Sequence, residues 1–215
     1  MQKFSLHYEA DLDRGGVSVL DIRPLLWRDG WPVAGDNFVA GDYGIESART
    51  GTVLELDVQG VPVGGPRRRG PGAAARNEPV PEQEALQVSA NWPSGDIDVR
   101  LGPAMLQAQQ KWTIAPATDA GGYPGSPYWR ICIAGTGRAL AATAAGELTT
   151  VPAFTGAPEQ LWRIDQLADG SYRVMPKAVP GSKEALALSA VGSSMPTLAK
   201  FDPASDRQRW RIGAP

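Results

Sequence analysis

Gln-x-Trp-x-Ile occurs three times in this chain: QKWTI from Gln110, QLWRI from Gln160 and QRWRI from Gln208. The tryptophans, Trp112, Trp162 and Trp210, stand 50 and 48 residues apart. The repeat extends beyond the motif. RALAATAAGELTTVPAFTGAPEQLWRI, from Arg138, lines up with EALALSAVGSSMPTLAKFDPASDRQRWRI, from Glu184. EALQVSANWPSGDIDVRLGPAMLQAQQKWTI, from Glu84, is a looser copy. Each has Ala-Leu, a turn of small residues, a second apolar run and then the motif. Self-similarity at this period means one supersecondary unit used three times. The 25 glycines and 19 prolines punctuate short apolar runs, the grammar of strands and turns. A unit of about four short strands cannot bury an apolar face alone, so the three share a core. A closed threefold arrangement leaves few exposed strand edges, and Ile212 near the chain end suits a strand that closes the ring.

The bulk numbers remove several classes of function. A net charge of −2 argues against general binding to nucleic acid or to a membrane surface. No apolar stretch approaches the roughly 20 residues of a membrane span. Cys132 is the only cysteine, which excludes an internal disulfide; it alternates with Ile131 and Ile133 as a small strand residue. MQKFSLHYEAD does not read as a signal peptide. One His and one Cys make no metal cluster, and Gly135-Thr136-Gly137 lacks the strand-to-helix context of a phosphate loop.

With three copies in register, the stretch from Gly41 to Ile212 resembles the ricin B-type lectin family. The resemblance implies a β-trefoil with a Gln-x-Trp signature in each unit. Unit openings are GDYGIESARTGTVLELDVQG from Gly41, YWRICIAGTGRAL from Tyr128 and SYRVMPKAVPGSKEAL from Ser171. The motif residues Gln110, Trp112, Gln160, Trp162, Gln208 and Trp210 read as structural core. An indole buries a large area and seeks an acceptor for its N–H, while a Gln two residues earlier can satisfy a neighbouring turn.

A sugar site needs an acceptor for hydroxyls and an aromatic face for the ring. In the resembled family an Asp after the second strand and an aromatic on a later turn fill these roles. Unit one offers Asp57 in LELDVQG, then Asn91 and Trp92 in a turn, with Asp96 and Asp98 following. Unit two has ALAATAAG and unit three ALALSAVG at that place, neither with an acid, although Phe201 and Asp202 come later. Unit one also carries an insert at 61–84, VPVGGPRRRGPGAAARNEPVPEQE, with Arg67, Arg68, Arg69 and Arg76; it reads as a surface loop. Its position leaves two choices for the second strand of this unit, TVLEL or ALQVS.

Residues 1–40 do not fit the repeat. FSLHYEA and VSVLDIRPLLW alternate as strands, and RDG turns the chain into WPVAGDN. A hairpin of this size needs support. The segment resembles the end of the last blade of the five-bladed propeller in glycoside hydrolase family 43, its arabinanases above all. The resemblance rests on His7-Tyr8-Glu9, on Leu20-Asp21-Ile22-Arg23-Pro24-Leu25-Leu26-Trp27 and on Asp29-Gly30-Trp31-Pro32. It implies that His7 marks an active-site-like position, near a metal ion such as calcium in a complete propeller. The family's acid and base are separated carboxylates on earlier blades. Glu9, Asp11, Asp13 and Asp21 form no such pair here.

The expectation is an all-β chain: a propeller-like hairpin over 1–40 and a β-trefoil over 41–215. Its expected function is that of an ancillary or carbohydrate-binding C-terminal region of an arabinan-degrading hydrolase, non-catalytic alone and without a cofactor of its own. Its expected partners are plant polysaccharide, arabinan among them, and a catalytic propeller domain or chain; no nucleic acid or membrane is expected. The alternative is part of a working arabinanase whose catalytic blades come from another chain. The glycosidase resemblance implies an extracellular or periplasmic setting.

Overall fold

A computed structural model describes residues 3–11, 17–58, 92–123 and 126–215. The insert 61–84 and Asn91 lie outside the described residues. The chain opens with a three-stranded antiparallel sheet, β1 (Lys3–Asp11), β2 (Val17–Arg28) and β3 (Trp31–Ala34), in that order. Asp29 and Gly30 both take positive φ, as the tight turn between β2 and β3 requires.

Three four-stranded units follow. The first comprises β4 (Gly41–Ser47), β5 (Val53–Leu56), β6 (Ile97–Gly102) and β7 (Trp112–Pro116). A small hairpin, β8 (Gly122–Tyr123) with β9 (Ser126–Pro127), leads to the second: β10 (Trp129–Ile133), β11 (Ala139–Ala142), β12 (Leu148–Val151) and β13 (Trp162–Gln166). The third comprises β14 (Tyr172–Pro176), β15 (Leu186–Val191), β16 (Met195–Lys200) and β17 (Trp210–Gly213). A single 3-10 turn precedes the last strand of every unit, at Ala108–Gln110, Pro158–Gln160 and Asp206–Gln208.

The first and fourth strands close a six-stranded barrel. Going round it, β4 pairs β7, β7 pairs β10, β10 pairs β13, β13 pairs β14, β14 pairs β17, and β17 returns to β4. The second and third strands form hairpins β5–β6, β11–β12 and β15–β16. The hairpins tie to one another: β12 pairs β6, Leu101 N–H donates to Ser194 O, and Leu198 N–H donates to Gly146 O. Closure of barrel and cap removes the edges that three separate units would expose. This is a β-trefoil.

The core explains the period. Trp112, Trp162 and Trp210 are fully buried, with Ile45, Ile131 and Val174 from the first strands and Leu54, Leu140 and Leu188 from the second. Each indole donates its N–H to a leucine carbonyl of its own unit: Trp112 to Leu54 (2.9 Å), Trp162 to Leu140 (3.1 Å), Trp210 to Leu188 (2.9 Å). These bonds set the equivalence of the units. They also decide the second strand of unit one. It is TVLEL, with Leu54 in the place of Leu140 and Leu188; the ALQVS alignment puts the Ala-Leu of this unit on the wrong side of the insert.

One residue outside the repeat completes the barrel. Phe38 packs against Tyr43, Trp129 and Tyr172 with ring centroids 5.2, 5.1 and 5.5 Å away, the latter two edge-on. Those three aromatics are equivalent first-strand positions, so Phe38 plugs the barrel on its threefold axis, at the end away from the hairpins. The same segment seats the N-terminal sheet. Asp36 N–H donates to Gln166 Oε1 (2.6 Å), Gly35 N–H to Pro24 O (2.7 Å), and Arg28 to Ala168 O (2.8 Å from Nε).

Candidate functional site

The three motif glutamines are buried and serve the turn between the third and fourth strands. Gln110 Oε1 accepts from Met105 N–H (2.8 Å), Gln160 Oε1 from Thr155 N–H (2.7 Å), and Gln208 Oε1 from Asp202 N–H (3.0 Å). Gln208 and Gln110 also donate, to Lys200 O and Pro103 O, both at 2.8 Å. With the tryptophans fully buried, the motif holds each unit closed and offers no surface to a ligand.

Unit one differs from the others in its β5–β6 hairpin. Glu55 is buried, where units two and three have Ala141 and Ser189. Its carboxylate accepts from Arg100 Nε (2.8 Å) and from Gln110 Nε2 (2.5 Å). A buried carboxylate persists only with such partners. The room for it comes from Gly102: a Cβ there would stand 2.3 Å from Glu55 Oε1. Arg100 also faces Asp57, at 3.8 Å, and the Asp57 side chain is 36% exposed. Asp57 N–H is fixed by Asp98 O (2.8 Å). Asp57 is thus a solvent-facing carboxylate steadied by a guanidinium that is itself held by a buried acid. Thr143 and Val191 occupy the position of Asp57 in the other units.

The aromatic expected beside it is not where a sugar could use it. Trp92 is buried at 8% exposure and belongs to the hydrophobic core, so it presents no ring face to solvent. Its indole nitrogen finds no partner among the described residues. The cause is Arg138, which sequence reasoning passed over. Buried in unit two, it donates to Pro93 O and Gly95 O, both at 2.7 Å, and to Thr150 O at 3.2 Å, which draws the 93–95 turn and Trp92 inward. Burial lowers the pKa of its guanidinium, opposed by the charge of Asp96. Phe201, the other aromatic considered, lies under Arg173 at 4.5 Å, and Asp202 caps its own turn by accepting from Ala204 N–H.

Two open clefts lie between units. One, of about 600 Å³, runs between the turn after β7 and the turn after β12, with Thr118, Asp119, Arg130, Phe154 and Thr155 on its walls. The other, of about 410 Å³, has Tyr128, Arg163, Lys177, Lys183 and Glu184. There Lys177 sits over the Tyr128 ring (4.7 Å) and Arg163 pairs with Asp165 (2.8 Å), while Lys183 stands exposed beside Glu184 in the sequence. His7 lies far from either in sequence, in β1 opposite Asp21 of β2. No group of three His, Cys, Asp or Glu side chains suited to a metal occurs among the described residues.

Comparison with known proteins agrees with this geometry. The family model described as ricin-type beta-trefoil lectin domain-like matches residues 108–194, from the 3-10 turn of unit one through β15 to the turn before β16, and takes in the whole of unit two. The chain is a β-trefoil that is similar over this stretch to the ricin-type lectin domain. No curated protein matches the chain. Among solved structures, the designed threefold-symmetric protein ThreeFoil is similar at 16% identity, covering 80% of this chain and 97% of its own, with a TM-score of 0.52. The β-trefoil lectin of the Vibrio vulnificus hemolysin/cytolysin, solved with N-acetyl-D-lactosamine bound, is similar at 13% identity, over 82% of this chain and 96% of its own (TM-score 0.54). A Polyporus squamosus lectin is similar at 14% identity, over 82% and 50% (TM-score 0.51). At these identities the likeness concerns the fold.

Proposed function

We propose that this chain is a glycan-binding module, the ancillary C-terminal region of an arabinan-degrading glycoside hydrolase, without catalysis of its own. The observation that carries the glycan-binding part is the asymmetry of the three hairpins. Only unit one places a solvent-facing carboxylate directly after its second strand, Asp57 against Thr143 and Val191, and it is steadied by Arg100, whose guanidinium is fixed in turn by buried Glu55. A fixed carboxylate accepting two vicinal hydroxyls is what sugar recognition needs. That the similar Vibrio vulnificus lectin holds N-acetyl-D-lactosamine on this fold supports the reading. Affinity electrophoresis in arabinan, galactan and xylan tests it, with D57N as the control. Retardation in at least one glycan, lost in D57N, is expected; free migration of the native protein in all three would refute glycan binding.

The arabinanase context rests on the resemblance of residues 1–40 to a final propeller blade. The β1–β3 sheet leaves Ile22, Trp27 and Trp31 at 50, 52 and 76% exposure, with Ile22 and Trp27 on opposite faces of β2. That surface also favours the second reading, an enzyme whose catalytic blades come from a separate chain in the same extracellular or periplasmic setting. Co-purification with such a chain, and arabinan hydrolysis only by the mixture, is the expected result under that reading. Hydrolysis by neither part nor mixture would remove it. In either case a calcium ion would belong to the completed propeller, with His7 near it.

A further inference from the structure

The hydrogen bonds that align the units expose a second repeated pair. Arg130 and Arg173 occupy the same position in β10 and β14, one residue after the Phe38-contacting aromatic. Phe154 and Phe201 each precede the residue whose N–H is held by the motif glutamine. Unit one has Gly44 and Ala104 in these places. The two pairs are in different states. In unit three the guanidinium of Arg173 is buried, 4.5 Å from the Phe201 centroid, and donates to Pro203 O; that pair is part of the packing. In unit two Arg130 is exposed, stands 5.8 Å from the Phe154 centroid, and makes no hydrogen bond or ion pair among the described residues. It lines the cleft of about 600 Å³, where Asp119 and Thr118 also stand exposed.

We propose that this cleft is a binding site for a carboxylate-bearing pyranose, distinct from the Asp57 site. It rests on the glycan-binding reading for the class of ligand, and on different residues for the place. The half-buried Phe154 ring offers a face to the C–H side of a sugar, as aromatic platforms do. Arg130, over the ring at 5.8 Å and so more loosely seated than Arg173 on Phe201 at 4.5 Å, meets a carboxylate carried on that sugar with a planar fork of donors. Asp119 and Thr118 on the opposite wall accept and donate to the remaining hydroxyls. The internal comparison selects the ligand's charge: the same Arg–Phe pair is closed in unit three and absent from unit one, so the open copy alone leaves a cation unmatched. In the neighbouring cleft the arginine is held by an acid, Arg163 by Asp165.

Two probes separate the sources of such a sugar: an α-1,4-linked galacturonate oligomer and sialyllactose, each titrated against the intact chain by calorimetry and by amide chemical-shift mapping. One of them binds, with shifts at residues 116–120 and 154–156. R130A and F154A each weaken binding by about tenfold or more, the size of one charge-assisted contact or one stacking platform. D57N leaves it within about twofold, and methyl-esterification of the carboxylates removes it. Arabinan retardation, the signature of the other site, persists in R130A. Absence of binding to both probes, binding indifferent to R130A, or equal loss in D57N and R130A would each overturn the second site. Because Arg130 is exposed and outside the core, R130A folds, and its unchanged melting temperature accompanies the measurement.

Discussion

The three motif glutamines are equivalent in the fold, and the structure makes their removal unequal. Gln160→Ala deletes an acceptor for Thr155 N–H and Oγ1 in an otherwise neutral setting. The loss of such bonds costs about 1–2 kcal/mol. Gln110→Ala deletes the same turn contact and one of the two groups that hold the Glu55 carboxylate, which is only 3% exposed. An under-partnered buried carboxylate adds about 1.5–2 kcal/mol, giving about 3 kcal/mol in total. With a urea m-value of about 2 kcal/mol/M, the gap between the two variants is about 0.75–1 M in midpoint. A double-mutant cycle isolates the cause. Glu55→Ala gives unit one the residue that unit two has at Ala141, and Arg100, 37% exposed, remains free to face Asp57 and water. In that background Gln110→Ala falls toward the cost of Gln160→Ala, keeping only the added loss of its bond to Pro103 O, a coupling of about 1–2 kcal/mol. Equal midpoints for Q110A and Q160A, or a cycle without coupling, would refute the view that Glu55 depends on the motif glutamine.

Phe38→Ala opens the end of the barrel and removes three ring contacts; because Phe38 is only half-buried, the expected loss is about 2–3 kcal/mol, below that of a fully buried Phe. Thermal unfolding measures it, and a melting temperature unchanged from the native protein would contradict the plug. Gly35→Ala places a Cβ 2.7 Å from Gln166 Oε1, so that side chain must swing away and give up the hydrogen bond from Asp36 N–H that ties the N-terminal sheet to the trefoil; protease cleavage within residues 1–40 should quicken while the trefoil persists. Tyr123 carries a phenol pushed up to about 12, by burial first and by the charge of Asp165 next, against its hydrogen bonds to Ser126 and Ile164. The folded state thus holds that proton more tightly than the unfolded state, whose phenol has its ordinary value near 10. Its contribution is complete below that value and is lost as pH rises through about 12. Tyr123→Phe should flatten the alkaline limb of the stability curve, and an unchanged limb would assign the fall to other groups.

How much of this was legible in the sequence follows from what repeats. Trp112, Trp162 and Trp210 announced the trefoil because each meets a leucine of its own unit, so the contact is written three times. Phe38 was not legible. It touches one residue from each unit, repeats nothing, and gains its role only when the barrel has closed. The insert hid the second strand of unit one by leaving an Ala-Leu pair on its far side. Trp92 was misread for a physical reason: an aromatic in a Pro-Ser-Gly turn looks exposed until Arg138, 45 residues from Pro93, binds the carbonyls of that turn. Asp57 was legible as an acid after a strand, but its steadying by Arg100 and Glu55 was not. Gln110 and Glu55 are 55 residues apart, with the insert between them.

The three units share a scaffold and diverge at the positions the scaffold does not use. The tryptophan and glutamine contacts occupy the inner side of each hairpin and turn, and they are kept in all three. The outer positions differ: Asp57 against Thr143 and Val191, exposed Arg130 against Gly44. A substitution at these places leaves the barrel, the cap and the indole bonds intact, so its cost to the fold is small. In a closed threefold fold, sites can therefore be lost from one unit and acquired by another independently. On this ground a carboxylate site in unit one and a cationic cleft beside unit two are compatible on one chain. The two proposed sites call for ligand groups of opposite character, one rich in neutral hydroxyls and one acidic.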